Sequence, residues 1–227
     1  MVRSVRIRDM AMSARDHGLR PGMDGSARNS WLECDPADYP ESPYPGSRAP
    51  GSWLLTPEGR LHGLDAVDHG WVDRLTGEEV NIAARQLVLG YGSNLNPVKL
   101  AGKFHGERVI VLEAVITGWA AAWCDARRLS GDVVATIVEA PGITEVHAVV
   151  AVTGQQLKKM DAWEGHPNFY ERRQFAGNVE LERGYVVEPL VYVGTERRRP
   201  VLQIDGKVAL CRNVPYGAVD MIVRKAR

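Results

Sequence analysis

The stretch "LVLGYGSNLNP", Leu87 to Pro97, carries an apolar run into Gly90-Tyr91-Gly92-Ser93-Asn94 and ends on a proline. Nothing in that glycine segment offers a side chain for acid–base chemistry. Glycines placed after a strand let backbone N–H groups approach another group closely, so any chemistry at this loop has to be supplied from elsewhere in the chain.

Two nucleotide-binding readings of the loop fail on spacing. A dinucleotide fingerprint needs GxGxxG, but Leu95 occupies the third glycine position and no regular βαβ alternation follows. A phosphate-binding GxxxxGK loop would use Gly102-Lys103, yet Pro97 stands where its first glycine belongs. A tight turn after a strand remains open as the plain reading.

Working outward, residues 86–227 are rich in strands. "RQLVLGY", "ERVIVLEAVITGWAAAWC", "DVVATIVEA", "EVHAVVAVT", "FYERRQFAGNVEL" and "YVVEPLVYVGT" are β-branched and bounded by Gly, Pro or charged turns. Helices are few. Asn96 as N-cap and Pro97 at the first helical position start a short one over "NPVKLAGKF". "GQQLKKMDAWEG" spaces Leu157, Met160 and Trp163 three apart on one face, and Gly165 and Pro167 end it. A last helix is expected after Pro215. Many non-local strands with few helices predict an α+β fold, a mixed sheet or small barrel with flanking helices.

Residues 1–52 differ in texture. "ECDPADYPESPYPGSRAPG" holds five prolines and two glycines, so this part reads as an extended arm or linker unable to form ladders or a helix, although Trp31 and Leu32 could dock. Residues 53–85 place turn signals at Pro57-Glu58-Gly59 and Thr76-Gly77 between short apolar pieces, as an accessory hairpin segment would.

With 28 basic and 28 acidic residues, bulk charge gives no reason to propose nucleic acid or an anionic membrane as partner. The basic opening residues 1–25 lack the apolar core of a secretory signal. The most apolar segment, interrupted by Glu113, falls short of the roughly 20 residues that span a bilayer. Cys34, Cys124 and Cys211 show no CxxC or CxxH spacing and read as free thiols, which places the protein in the cytoplasm. The six histidines, His17, His62, His69, His105, His147 and His166, lack HExxH or HxH spacing, so no metal site is expected. "ERRRP", Glu196 to Pro200, reads as a solvated charged turn.

A second anchor changes the reading of the loop. "MDAWEGHPNFYERR" places Glu164 at the end of the short helix, before a Gly-x-Pro turn and six residues ahead of Tyr170, with Asp161 on the same helical side. His166, two residues on, either tunes that carboxylate or caps a turn. Together, "YGSN", "ATIVEAPG" and "MDAWEG" followed by Tyr170 resemble the γ-glutamylcyclotransferase-like family from about Leu87 to the C-terminus, leaving the first 85 or so residues uncovered. The resemblance implies a small mixed barrel with flanking helices. It makes Glu164 the catalytic acid–base, with Tyr91, Gly92, Ser93, Asn94, Leu95 and Tyr170 as substrate-binding residues. It also implies cofactor-independent intramolecular aminolysis: a γ-glutamyl amine, amino acid or peptide closes to 5-oxoproline and releases a free amine. A single carboxylate suits that chemistry, since the attacking ammonium must lose a proton and the departing amine must gain one. The alternative from another class is a small-molecule-binding or interaction module that keeps the barrel without turnover. The extension could lid the cavity, mediate assembly into a homo-oligomer or supply substrate contacts.

Overall fold

The computed structural model describes residues 31–225 of the 227-residue chain. The basic opening segment, His17 and the first part of the arm lie outside the described residues. In chain order the strands are β1 (Glu33–Cys34), β2 (Trp53–Leu55), β3 (Leu61–Val67), β4 (Gly70–Asp73), β5 (Glu79–Val80), β6 (Gln86–Gly90), β7 (Val109–Arg127) and β8 (Val133–Val152), followed by β9 (Tyr170–Gln174), β10 (Asn178–Leu181), β11 (Val186–Val187), β12 (Leu190–Gly194), β13 (Gln203–Ile204) and β14 (Lys207–Val208). Among the described residues three α-helices accompany them: α1 (Pro97–Lys103), α2 (Gly154–Glu164) and α3 (Tyr216–Lys225).

Twelve strands form one mixed sheet in the order β5-β4-β3-β2-β7-β8-β6-β12-β9, with β1 on β3, β10 on β7 and β11 on β10. The path keeps two free ends, so the sheet curls without closing on itself, and the α+β class with three flanking helices stands as expected. Every pairing in it is antiparallel except β12 on β6, where Leu190 and Val191 face Val88 and Leu89. That parallel step puts β6 at the centre, between β8 and β12, with its last residue Gly90 opposite Ala148. A strand hydrogen-bonded on both sides leaves its following loop little freedom of placement.

β7 and β8 form one long hairpin, and β8 passes straight through Pro141-Gly142, where a break between two strands was expected. The reason is a bulge. Thr117 pairs with Thr144 and Trp119 with Glu139, so Gly118 alone, at φ 80°, faces the four-residue insertion that contains Pro141. A proline tolerates that place because no ladder N–H is required there.

Residues 53–80 belong to the same sheet, since Trp53, Leu54 and Leu55 of β2 pair with Val111, Ile110 and Val109 of β7. The arm, too, is docked more closely than its prolines suggest. Glu33 and Cys34 pair with His62 and Leu61, and Tyr44 is buried among Trp123 and Tyr216. Asn96 holds it there. Its Oδ1 accepts from Lys99 N–H at 3.0 Å, capping α1, while Nδ2 donates to the carbonyls of Tyr39, Pro40 and Ser47 at 2.9, 3.2 and 2.9 Å. One fully buried amide thus starts the helix and fastens the arm. None of the helices among the described residues is long and apolar enough to cross a membrane.

Removing that amide should be costly. Asn96→Ala loses a cap worth about 1 kcal/mol and leaves buried carbonyls without a donor at about 1–3 kcal/mol, a destabilisation of about 2–4 kcal/mol in urea unfolding. Asn96→Asp, which keeps the acceptor, should restore the cap but leave residues 39–47 open to proteolysis. A midpoint for Asn96→Ala equal to that of the wild type would show that the arm is held by other contacts.

Candidate active site

Glu164 and the glycine loop meet at one cleft of about 1210 Å³. α2 begins at Thr153, whose side chain accepts from Gln156 N–H while Gln156 Oε1 accepts from Thr153 N–H, and it ends at Gly165, held in the left-handed conformation at φ 62°. Glu164 is therefore the last helical residue, at the end that carries the negative pole of the helix dipole. A carboxylate in that position needs donors. Asn94 Nδ2 supplies one at 2.9 Å to Oε1, and Lys103 Nζ lies 3.9 Å from the same oxygen while also donating to Asn94 Oδ1. Burial pulls the Lys103 ammonium below its ordinary lysine range, and Glu164 works against that shift. The glutamate side chain keeps 16% of its surface exposed, enough for a substrate atom in the cleft to reach it.

Tyr91, Gly92, Ser93 and Asn94 line the cleft. Leu95 does not. Its side chain is buried, lying back over Gly90, and its N–H is bonded to Gly92 O at 3.2 Å, so it belongs to the core and its amide is spent on the turn. The two glycines of the loop are required by close approach. A β-carbon at 90 would stand 2.6 Å from Leu95 Cδ2, and one at 92 would stand 2.7 Å from the Tyr44 hydroxyl. In the short turn Ser93–Leu95, the N–H groups of Ser93 and Asn94 have no acceptor within the turn itself.

Tyr170 lines the cleft with a buried ring, but its hydroxyl donates to Ala135 O at 3.0 Å, so it contributes a wall and leaves its proton committed. Asp161 is engaged elsewhere: it pairs with Arg172 and accepts from the Tyr192 hydroxyl at 2.8 Å. His166 closes the turn after α2, its Nδ1 accepting from Arg172 N–H at 3.1 Å, and among the described residues it forms neither a hydrogen bond nor an ion pair with Glu164. Trp163 is 42% exposed and lines the cleft, with Lys103 Nζ 5.1 Å from its ring centroid. Cys124 is a buried thiol that burial raises to about 12.

Three contributions were not legible in the sequence. Tyr44 reaches the cleft from the arm, and the signal for it was an aromatic set among prolines, a composition that docks more readily than a solvated linker. Lys103 was weighed only as part of a phosphate loop. Arg199 sits in "ERRRP", but it is only 8% exposed and lines the cleft, because Gly194 leaves it room (a β-carbon there would stand 2.8 Å from Arg199 Cβ) and the rings of Phe169 and Tyr170 lie 4.9 and 5.9 Å from its guanidinium. Its Nη1 donates to Arg127 O at 3.0 Å, and its Nε meets no acceptor. Arg127 and Arg128 of the same cleft are paired with Asp220 and Asp132. Lys99 and Arg199 have no carboxylate within ion-pair distance among the described residues.

Comparison with known proteins places this arrangement. A family model described as "Gamma-glutamyl cyclotransferase, AIG2-like" matches residues 88–207, which takes in the loop, Glu164, Tyr170 and Arg199 but neither the arm nor β2–β5. No curated protein matches the sequence. Among solved structures, a γ-glutamyl cyclotransferase is 18% identical at a TM-score of 0.43, over 49% of this chain and 67% of that one. A protein from Arabidopsis thaliana solved in solution is 22% identical at a TM-score of 0.42, over 66% and 85%. An AIG2-like protein from Mus musculus is 18% identical at a TM-score of 0.40, over 59% and 92%. The matched segment exceeds half of the sequence, and the chain belongs to the γ-glutamyl cyclotransferase, AIG2-like family.

Proposed function

We propose that this protein is a cofactor-independent γ-glutamyl cyclotransferase with Glu164 as general acid–base. The observation that supports it is the Glu164 carboxylate inside the cleft, bonded to the Asn94 side chain of the very loop that lines the same space. The substrate's α-ammonium gives a proton to Glu164. The freed amine attacks its own γ-carbonyl carbon, a new C–N bond forms, and the carbonyl oxygen becomes an oxyanion met by loop N–H groups. Glu164 then returns the proton to the departing nitrogen, the original C–N bond breaks, the carboxylate takes the second proton from the ring nitrogen and passes it to the released amine, and 5-oxoproline and an ammonium leave. Because nucleophile and electrophile belong to one molecule, the protein's task is to hold the glutamyl chain folded. Lys103 and Asn94 keep the carboxylate aimed.

The unpaired cations bear on the substrate class. A guanidinium that is buried without a carboxylate is costly to keep, and an incoming carboxylate offsets that cost. Arg199 and Lys99 therefore favour a substrate whose departing amine carries a carboxylate, such as a γ-glutamyl amino acid, over a γ-glutamyl alkylamine.

A binding module without turnover is the second reading, and the Lys103–Glu164 pair is what favours it: a carboxylate already matched by an ammonium and an amide can floor a binding site without exchanging protons.

Incubating the protein with a panel of γ-glutamyl compounds and following 5-oxoproline by mass spectrometry separates the two, since the module releases none. Glu164→Gln, isosteric and still able to meet Asn94 and Lys103, should lower kcat by about 10²–10⁴-fold. Wild-type turnover in that variant would remove the glutamate from the mechanism. For Arg199, the comparison is between substrates. Arg199→Met should raise KM for a γ-glutamyl amino acid by about tenfold or more while changing that for a γ-glutamyl alkylamine little, because a charge-assisted bond is worth about 1.5–3 kcal/mol. Equal changes for both would assign Arg199 to packing alone.

A further inference from the structure

A second cavity, of about 480 Å³, lies behind the loop. It is lined by Tyr44, Arg48, Glu145, His147 and Cys211, and it shares Tyr91 and Gly92 with the cleft that holds Glu164. The loop thus borders two spaces, one catalytic under the proposed function and one lined mainly by β7, β8 and residues 211–212, into which the arm sends Tyr44, Pro45 and Arg48. Arg48 dominates the rear space. Its Nη2 donates to Tyr91 O at 2.8 Å, and its Nη1 reaches His147 Nδ1 at 3.4 Å and Val146 O at 3.5 Å. Behind the imidazole, Glu145 Oε2 lies 2.8 Å from His147 Nε2 and accepts from Ala121 N–H at 3.0 Å. Burial keeps His147 below the ordinary imidazole range, the Glu145 hydrogen bond opposing it, so the neutral ring offers Nδ1 as an acceptor to Arg48. The guanidinium is braced on β8 and aimed at one carbonyl.

The geometry of a peptide group carries the consequence across the loop. The Tyr91–Gly92 bond is trans, so its carbonyl and N–H point to opposite sides of the plane. With the Tyr91 carbonyl held by Arg48 of the rear cavity, the Gly92 N–H points the opposite way, and no hydrogen bond from it is found among the described residues. Gly92 makes this orientation easy to lose. It is glycine because the Tyr44 hydroxyl stands 2.7 Å from any β-carbon there, and a glycine offers little steric resistance to rotation of the peptide before it. Rotated, the same peptide would present an oxygen to the anion it should bind.

We propose that Arg48, supplied by the N-terminal arm outside the family-matched segment, is a positioning residue. It holds the 91–92 peptide with its N–H toward the cleft, as the donor for the substrate's α-carboxylate or for the oxyanion. The proposal rests on the cyclotransferase reading for its effect on turnover, but not for the peptide orientation itself.

The test uses the full chain and three variants. Arg48→Ala should lower kcat on the γ-glutamyl substrate by about 10²–10³-fold, the loss that follows removal of one oxyanion donor. Arg48→Lys, still able to donate to one carbonyl, should recover part of it. Millimolar guanidinium should also restore part of the activity of Arg48→Ala by entering the rear cavity, and should do nothing for Glu164→Gln. A purely structural role would give lost stability with no rescue. A crystal structure of Arg48→Ala supplies the readout that does not depend on turnover: the Tyr91 carbonyl should have left its wild-type direction. A kcat within twofold of wild type, or an unmoved carbonyl, overturns the proposal. If wild-type protein turns over no γ-glutamyl compound, the functional reading falls, and the carbonyl direction alone then decides the role of Arg48.

Discussion

Leu95 lies back over Gly90, so close that a β-carbon on residue 90 would sit 2.6 Å from its Cδ2, and the rest of the site is arranged around that contact. β6 is hydrogen-bonded on both sides, by β8 and by β12, and the chain leaving it must turn at once. Packing Leu95 against the strand end closes the turn from within and throws Asn94 outward, toward the end of α2. Asn96 then caps α1 with one end of its amide and fastens the arm with the other. A larger residue at 90 would force either the strand or the turn to shift, an overpacking cost of about 1–3 kcal/mol, and would move the Asn94 donor away from Glu164.

The electrostatics of the cleft follow from where helices end. Glu164 sits at a helix C-terminus, an unfavourable place for negative charge, and Lys103 at the last turn of α1 faces it together with Asn94. Two helix ends and one turn thus bring a carboxylate, an ammonium and an amide together without drawing on the strands. The remaining cations come from α1, from the end of β7 and from the loops after β7 and β12. β7 presents Arg127, and Arg128 follows it; both are matched by acids of the same neighbourhood, whereas Arg199 is held by carbonyls and aromatic rings. A cleft with paired and unpaired cations side by side is neutral in part and receptive in part, which is the asymmetry a substrate with an anionic end would use.

The arm adds contacts to the family-matched segment in this chain. The family match begins at Val88, yet Tyr44 and Arg48 both touch the loop that starts three residues later. A hydroxyl against Gly92 and a guanidinium on the Tyr91 carbonyl make the loop's backbone a shared structure, half from the matched domain and half from the segment before it. Composition hid this. A proline-rich stretch forms few ladders, but a chain stiffened by prolines has less entropy to lose on docking, and its carbonyls remain available to a single well-placed donor such as Asn96.

The sequence by itself determined the local elements and the members of the central pair. Asn96-Pro97 started a helix and Gly165 and Pro167 ended another, because turns and caps are decided by neighbours along the chain, while the resemblance to a known family paired the YGSN loop with Glu164. Tertiary structure alone decided which groups share a space. Leu95 turned inward because Gly90 left it a place, β8 ran through Pro141 because a bulge removed the need for an N–H, and Arg199 entered the cleft because Gly194 let the backbone come near. Each of those outcomes depends on a contact between residues distant in sequence or on the absence of a β-carbon at a crossing point, and no periodicity or spacing encodes which distant neighbour will arrive there.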